Sequence, residues 1–168
     1  DVILLQTSHG WDRLTPRSRE ALTRRVREGC GLVWVRPFES ELSPLVPETP
    51  VAPPAEAYAQ IEPGKPESSP WRRGVEHYIT RSIPVETFPF QYLENYLYRA
   101  APDAAVLVAS ASGHPVAAVR DFGKGRVVAL GYRNAGLSWR MPATARGFVS
   151  GQTWEAFYAM LCRALIYA

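Results

Sequence analysis

The side chains that could do chemistry sit just beyond short apolar runs. Val2-Ile-Leu-Leu5 leads into the polar stretch Gln6-Thr-Ser-His-Gly-Trp-Asp12, which holds Ser8, His9 and Asp12. A hydroxyl, an imidazole and a carboxylate are the ingredients of nucleophilic catalysis, but groups so close in sequence seldom reach triad geometry. Leu32-Val-Trp-Val35 is followed by Arg36, Glu39 and Glu41. A pair of carboxylates can divide acid and base roles, and a guanidinium holds an anion in a planar fork. Arg133 follows a third apolar run, Val127 to Leu130. Strand ends of this kind are where open α/β sheets bind ligands. His9 and Glu39 are therefore the candidate catalytic residues, and Arg36 and Arg133 the candidate ligand-binding residues. The bland alternatives are loop hydrogen bonding for His9 and simple solvation for the acidic residues.

Other reactive side chains are scattered along the chain. His9, His77 and His114 form a metal site only if the fold gathers them, and nothing in their spacing requires it. No metal and no cofactor is expected. His77 reads as a turn residue that satisfies a backbone carbonyl, and His114, before Pro115, as an exposed strand start. Cys30 and Cys162 lie far apart and fit neither a metal motif nor a disulfide framework. Trp11, Trp71 and Trp139 could stack on sugar rings, although core packing is the commoner use of tryptophan. Gly123-Lys124-Gly125 contains the Gly-Lys pair of phosphate loops. It lacks the hydroxyl residue after the lysine and the helix that must follow. A hairpin turn is the better reading, with Lys124 at its exposed tip.

The elements that must position these groups are legible from local pattern. Val116–Val119 and Val127–Leu130 are apolar and rich in β-branched residues, without polar alternation. They read as strands covered on both faces, joined by the glycine turn. Thr15-Pro16 opens a helix as N-cap and first helical residue. Ala21, Leu22 and Val26 supply its inner face, Arg19, Arg24 and Arg27 its outer face, and Gly29 its stop. With flanking strands Val2–Leu5 and Leu32–Val35 this makes a right-handed βαβ unit. Between Arg36 and Pro70 nine prolines preclude a long helix or a central strand, so this stretch reads as a long extended loop. Ala104–Val108 is a further strand. Trp154, Phe157, Tyr158, Leu161 and Leu165 mark a closing helix over Trp154–Tyr167.

Composition bounds the class. The 168 residues are 46% hydrophobic and 21% charged, as in a folded single domain. No run is long and apolar enough for a membrane-spanning helix, and no secretory signal opens the chain. The net charge of +3 comes from arginines mixed with acidic residues, Lys65 and Lys124 being the only lysines. No basic block interleaves with aromatics, so neither nucleic acid nor membrane is expected as a partner. The chain opens on Asp1 and enters a strand at once, which suggests one piece of a larger polypeptide. A soluble, cytoplasmic setting is favoured.

Several segments resemble class I glutamine amidotransferase-like domains. "LTPRSREALTRRVREGCGLVWV" (Leu14 to Val35) is similar to their helix, Gly-rich turn and strand, with Cys30 where a middle glycine is usual. "HYITRSIP" (His77 to Pro84) resembles the "HPIT-x-G-IP" segment of the trehalose-utilisation (ThuA-like) branch. "GHPVAAVRDFGKGRVVALGY" and "WEAFYAMLCRALIYA" resemble its hairpin and closing helix. The resemblance implies an α/β, flavodoxin-like three-layer sandwich. Its sheet is mostly parallel with an antiparallel C-terminal hairpin, and its first β-α unit is missing here. It also implies a thiol on the turn after Leu32–Val35 and a histidine near Tyr132–Leu137. This chain has Arg36-Pro37 at the first place and no histidine at the second. Related domains occur inside carbohydrate enzymes, for example as the trimerisation domain of β-galactosidases. The expectation is therefore a non-catalytic domain of a larger, carbohydrate-related protein, whose partners are other domains or subunits. It would serve assembly or shape a neighbouring active site. The alternative is a hydrolase or isomerase acting on a sugar-like substrate.

Overall fold

Residues 1–5, 11, 13–35, 43–46, 48–50, 71–87, 98–110, 113–131 and 151–168 are described by the computed structural model. Strand β1 (Val2–Leu5), helix α1 (Pro16–Arg27) and strand β2 (Gly31–Val35) form the βαβ unit, with β1 and β2 parallel and Val2 opposite Gly31. The Thr15 hydroxyl accepts the Ser18 N–H at 3.2 Å, satisfying one of the donors a helix start leaves open. Arg24, Arg25 and Arg27 fill the last turn, where positive charge complements the helix dipole. The helix closes through paired bonds, Gly29 N–H to the Val26 carbonyl and Cys30 N–H to the Arg25 carbonyl, both 3.0 Å. Arg19 departs from the expected outward face. Its Nε donates to the Trp11 carbonyl at 3.1 Å, and its guanidinium lies 5.6 Å from the Trp11 ring centre. A long aliphatic stem lets it cover buried indole while keeping its head hydrated.

Among the described residues six more strands follow: β3 (Glu48–Pro50), β4 (Arg72–Arg73), β5 (Tyr98–Ala100), β6 (Ala105–Ala109), β7 (Pro115–Phe122) and β8 (Gly125–Leu130). Helix α2 (Gly151–Tyr167) ends the chain's regular structure. The main sheet has the order β1-β2-β8-β7-β6-β4, and β3 pairs with β5 in a separate two-stranded sheet. Within residues 36–70, then, a three-residue strand forms; most of that stretch lies outside the described residues. The pairings β1/β2 and β2/β8 are parallel, while β8/β7, β7/β6 and β6/β4 are antiparallel. Four strands (β1, β2, β8 and β6) run one way, but the antiparallel part reaches well beyond the expected hairpin. For β6/β7 and β7/β8 the cause is loop length: short links allow only antiparallel neighbours, whereas a parallel pair needs a crossover.

Among the described residues the sheet carries one helix on each face. Leu32, Trp34 and Val127 meet Val26 of α1 with Trp11, Leu45 and Val46. Val33, Val35, Val128, Leu130, Ala117 and Val119 meet Phe157, Met160, Leu161 and Ala164 of α2. Alternate residues of β2 thus enter different cores, which is why all five are buried and why the run lacks polar alternation. The hairpin tip turns at Gly123 (φ 67°), and Lys124 is exposed, donating its N–H to the Arg27 carbonyl at 2.9 Å. The tip therefore caps α1, and no loop-to-helix phosphate cradle is formed there. Among the described residues no helix is long and apolar enough to cross a membrane.

Candidate functional site

Strands β1, β2 and β8 lie side by side and end at the same edge: Leu5 is level with Trp34, and Val35 with Leu130. The sequence candidates follow these three strand ends. Ser8, His9, Asp12, Arg36, Glu39, Glu41, Arg133 and Trp139 all lie outside the described residues. What the structure does describe is the α1-side support near that edge. Trp11 is 4% exposed and packs on Trp34 with ring centres 5.7 Å apart. Both indoles are thus core. Trp34 Nε1 is buried, with no hydrogen-bond partner among the described residues. Most buried donors in folded proteins find an acceptor.

On the same face, Arg120 of β7 ties the start of the proline-rich stretch to the sheet. Its guanidinium donates to the Pro44 carbonyl, lies 3.6 Å from an Asp103 carboxylate oxygen and 5.4 Å from the Phe122 ring centre. Sequence reasoning missed this residue. The available signal was an arginine directly after the apolar run Val116–Val119, facing the same layer as Phe122. Arg73 was missed as well. Its guanidinium donates to the carbonyls of Thr80 (2.7 Å) and Ile83 (2.5 Å) and lies 3.5 Å from Glu86, which gathers the turn that follows β4.

Cys30 occupies the turn between α1 and β2. It is buried, and its Sγ lies 3.5 Å from the carbonyl oxygens of both Asp1 and Gly31. It borders a polar hollow of about 210 Å³ with Asp1, Arg25, Glu28 and Gly29, at the opposite edge of the sheet from the strand ends described above. The thiol is placed to donate to these two carbonyl oxygens.

The described histidines do not meet. His77 sits near the edge where β8 begins, with its ring edge-on to Tyr167 at 4.5 Å. Its Nδ1 accepts the Ile79 N–H at 3.2 Å, so the ring acts as acceptor in the turn and not as donor to a carbonyl. Burial, and then the nearby Arg126 charge, lower its pKa below the ordinary 6.5. Arg126 in turn lies over the Tyr167 ring at 4.8 Å and donates to the Tyr167 carbonyl at 2.9 Å. His114 is at the far end of the sheet, leading into β7, where its N–H donates to Ser110 Oγ at 3.2 Å. It is half-buried, not exposed as expected. Among the described residues no three His, Cys, Asp or Glu side chains gather as metal ligands. Trp71 is also core, 4% exposed and edge-on to Phe157 at 6.1 Å.

No protein-family model matches the sequence, and a search of curated proteins finds no match. Solved structures do resemble the fold. Cytoplasmic protein STM3548 from Salmonella typhimurium aligns over 99% of this chain and 71% of its own, with 15% identity and a TM-score of 0.61. A β-galactosidase from Rahnella sp. R3 aligns over 100% of this chain and 23% of its own, with 14% identity and a TM-score of 0.53. The exo-β-1,4-mannosidase Op5Man5 from an Opitutaceae bacterium aligns over 98% and 25%, with 13% identity and a TM-score of 0.50. At such identities the likeness is one of fold. The chain spans about a quarter of each glycosidase.

Proposed function

We propose that this chain is a non-catalytic, amidotransferase-like α/β domain of a larger carbohydrate-related protein. In this reading it serves assembly or shapes a neighbouring active site. The observation that carries the reading is the fold match to glycosidases: nearly the whole chain aligns, but with only a quarter of each enzyme. A domain-sized part of a sugar-cleaving protein is what such coverage describes. The environment of Cys30 supports it. The cysteine sits in a helix-ending turn with its sulfur against carbonyl oxygens, at the opposite edge of the sheet from the strand ends, and so is not where the resemblance puts a nucleophile. The flavodoxin-like arrangement, implied by the sequence resemblance, is part of the same proposal. The test is to express the whole reading frame with and without residues 1–168. Loss of glycosidase turnover together with loss of the native oligomer supports the reading. Unchanged turnover and unchanged assembly refute it.

A second reading has its own observation: three adjacent parallel strands end level at one edge. Open α/β sheets bind ligands there. In this reading the chain is a hydrolase or isomerase of a sugar-like substrate, with His9 and Glu39 as acid and base and Arg36 and Arg133 holding an anionic group. His9→Ala and Glu39→Gln should each abolish its turnover. Turnover that survives both substitutions rules it out.

A further inference from the structure

At the edge where β8 begins, two arginines are built into the surface in the same way. Arg126 of β8 lies over the Tyr167 ring at 4.8 Å and donates to the Tyr167 carbonyl at 2.9 Å. Arg163 of α2 lies over the Tyr78 ring at 5.9 Å and donates to the Arg81 carbonyl. His77, edge-on to Tyr167 and next in the chain to Tyr78, joins the two stacks. Arg163 and Tyr167 are four residues apart on α2, which places their side chains about 5–6 Å from each other. Each guanidinium thus gives one N–H to a carbonyl and one face to a ring, and keeps further donors for something else. Among the described residues no carboxylate pairs with either of them. Glu76 is engaged with Arg81 at 3.7 Å, and Asp121, opposite Arg126 in the hairpin, makes no ion pair with it. Apolar surface accompanies the charge: Tyr78 is 44%, Val75 49% and Ile166 72% exposed.

We propose that the two arginine–tyrosine stacks are a docking site for an acidic segment of a partner protein. Each guanidinium takes one carboxylate, and an apolar residue beside the carboxylates covers Ile166. Arginine and tyrosine are the residues that carry most binding energy where proteins meet. Here both arginines are already held against a ring and a carbonyl, so less side-chain freedom is lost on binding. Charge complementarity selects the occupant. A second copy docking about a two-fold axis would set these arginines against themselves, like charge facing like. Anionic lipid surfaces are bound by larger basic clusters, about four to eight Lys and Arg, whereas two unpaired arginines stand here. A planar guanidinium matches a carboxylate in a two-bonded fork. Spacing gives the motif. Alternate residues of an extended segment lie about 6.6 Å apart, close to the single helical turn between Arg163 and Tyr167. The segment therefore reads acidic, any residue, acidic, apolar. The site lies at the opposite edge from the strand ends, so neither reading above depends on it.

The test titrates the full chain with a fluorescein-labelled peptide, Gly-Glu-Ser-Glu-Leu-Leu-Gly. Binding is read by anisotropy, and the site by amide chemical shifts. The comparison ligands are the same peptide with Gln for both Glu, the same peptide with Ser for both Leu, inorganic pyrophosphate, and vesicles of equal parts phosphatidylcholine and phosphatidylserine. The expected result is shifts confined to His77–Arg81, Arg126 and Arg163–Tyr167, with affinity that falls as salt is added. Arg126→Gln and Arg163→Gln should each weaken binding about tenfold, the worth of one charge-assisted hydrogen bond. Arg24→Gln, an exposed arginine on α1, should leave it unchanged. Because both arginines also hold backbone carbonyls, Arg126→Lys and Arg163→Lys are run beside them. These keep the charge and lose the fork, and should weaken binding by a smaller factor. Shifts that are absent or spread over α1, or full affinity in the Arg126→Gln/Arg163→Gln double variant, overturn the proposal. So does equal binding of either substituted peptide. Pyrophosphate or vesicles that move the same amides as strongly as the peptide assign the stacks to a bare anion or a lipid surface and overturn it as well.

Discussion

The hairpin tip offers the sharpest test of how this fold is held together. A Cβ added at Gly125 would drive into the carbonyl oxygens of Val26 and Cys30 and come within 3.0 Å of the Val26 carbonyl carbon. All three are backbone atoms, two from the last turn of α1 and one from the turn into β2, so no flexible side chain can swing away. Either the hairpin withdraws or the end of α1 shifts, and the bond from Lys124 N–H to the Arg27 carbonyl goes with it. Overpacking of this kind costs about 1–3 kcal/mol, and a lost backbone bond adds about 1 kcal/mol. Gly125→Ala should therefore destabilise the chain by about 2–4 kcal/mol. For a domain of this size that lowers the melting temperature by roughly 4–16 °C. Urea unfolding followed by far-ultraviolet circular dichroism measures it directly, with Lys124→Ala as the control, because that side chain is exposed at the tip. A Gly125→Ala variant within about 0.5 kcal/mol of the parent, the usual range for surface changes, would refute the close approach of hairpin and helix.

The histidine and the thiols supply two further tests. His77 has a folded-state pKa below 6.5, so the unfolded chain takes up its proton first as pH falls. Its contribution to stability is complete above pH 6.5 and declines as pH drops from there through the folded-state value. His77→Gln should flatten that part of the stability profile while leaving the midpoint above pH 6.5 nearly unchanged. An equally steep decline in the variant would assign the pH dependence to other groups. In the native protein an aromatic disulfide reagent should titrate one thiol promptly, Cys162, and the second only on unfolding, since Cys162 is exposed and Cys30 is 7% exposed. Prompt reaction that survives Cys162→Ser would mean that Cys30 is reachable and reactive, against its placement under the Asp1 and Gly31 carbonyls.

Much of the architecture was written in short-range signals. Thr15 and Pro16 start α1 because a hydroxyl and a ring with fixed φ suit the first positions of a helix, wherever that helix later packs. Gly29 ends it, Gly123 turns the hairpin, and the spacing of Phe157, Leu161 and Leu165 marks α2, each through contacts spanning only a few residues. Unbroken apolar runs in β2, β7 and β8 announced strands buried on both faces. The strand ends that carry His9, Arg36, Glu39 and Arg133 could likewise be named in advance. Whether those side chains converge is a matter of long-range approach, which residue type does not encode.

Tertiary structure alone decided the order of the strands and the fate of several side chains. β8 lies between β2 and β7 although most of the chain separates it from β2, and the antiparallel part continues through β6 to β4. Arg120 reaches the Pro44 carbonyl 76 residues away, and His77 turns its ring to Tyr167 at the end of the last helix. Trp11 and Trp71, plausible sugar platforms by type, are sealed in opposite cores. Periodicity records which face of an element is apolar, because that face repeats along the element itself. It does not record which other element will meet that face, because that choice depends on closing long loops and filling a shared volume with residues far apart in the chain.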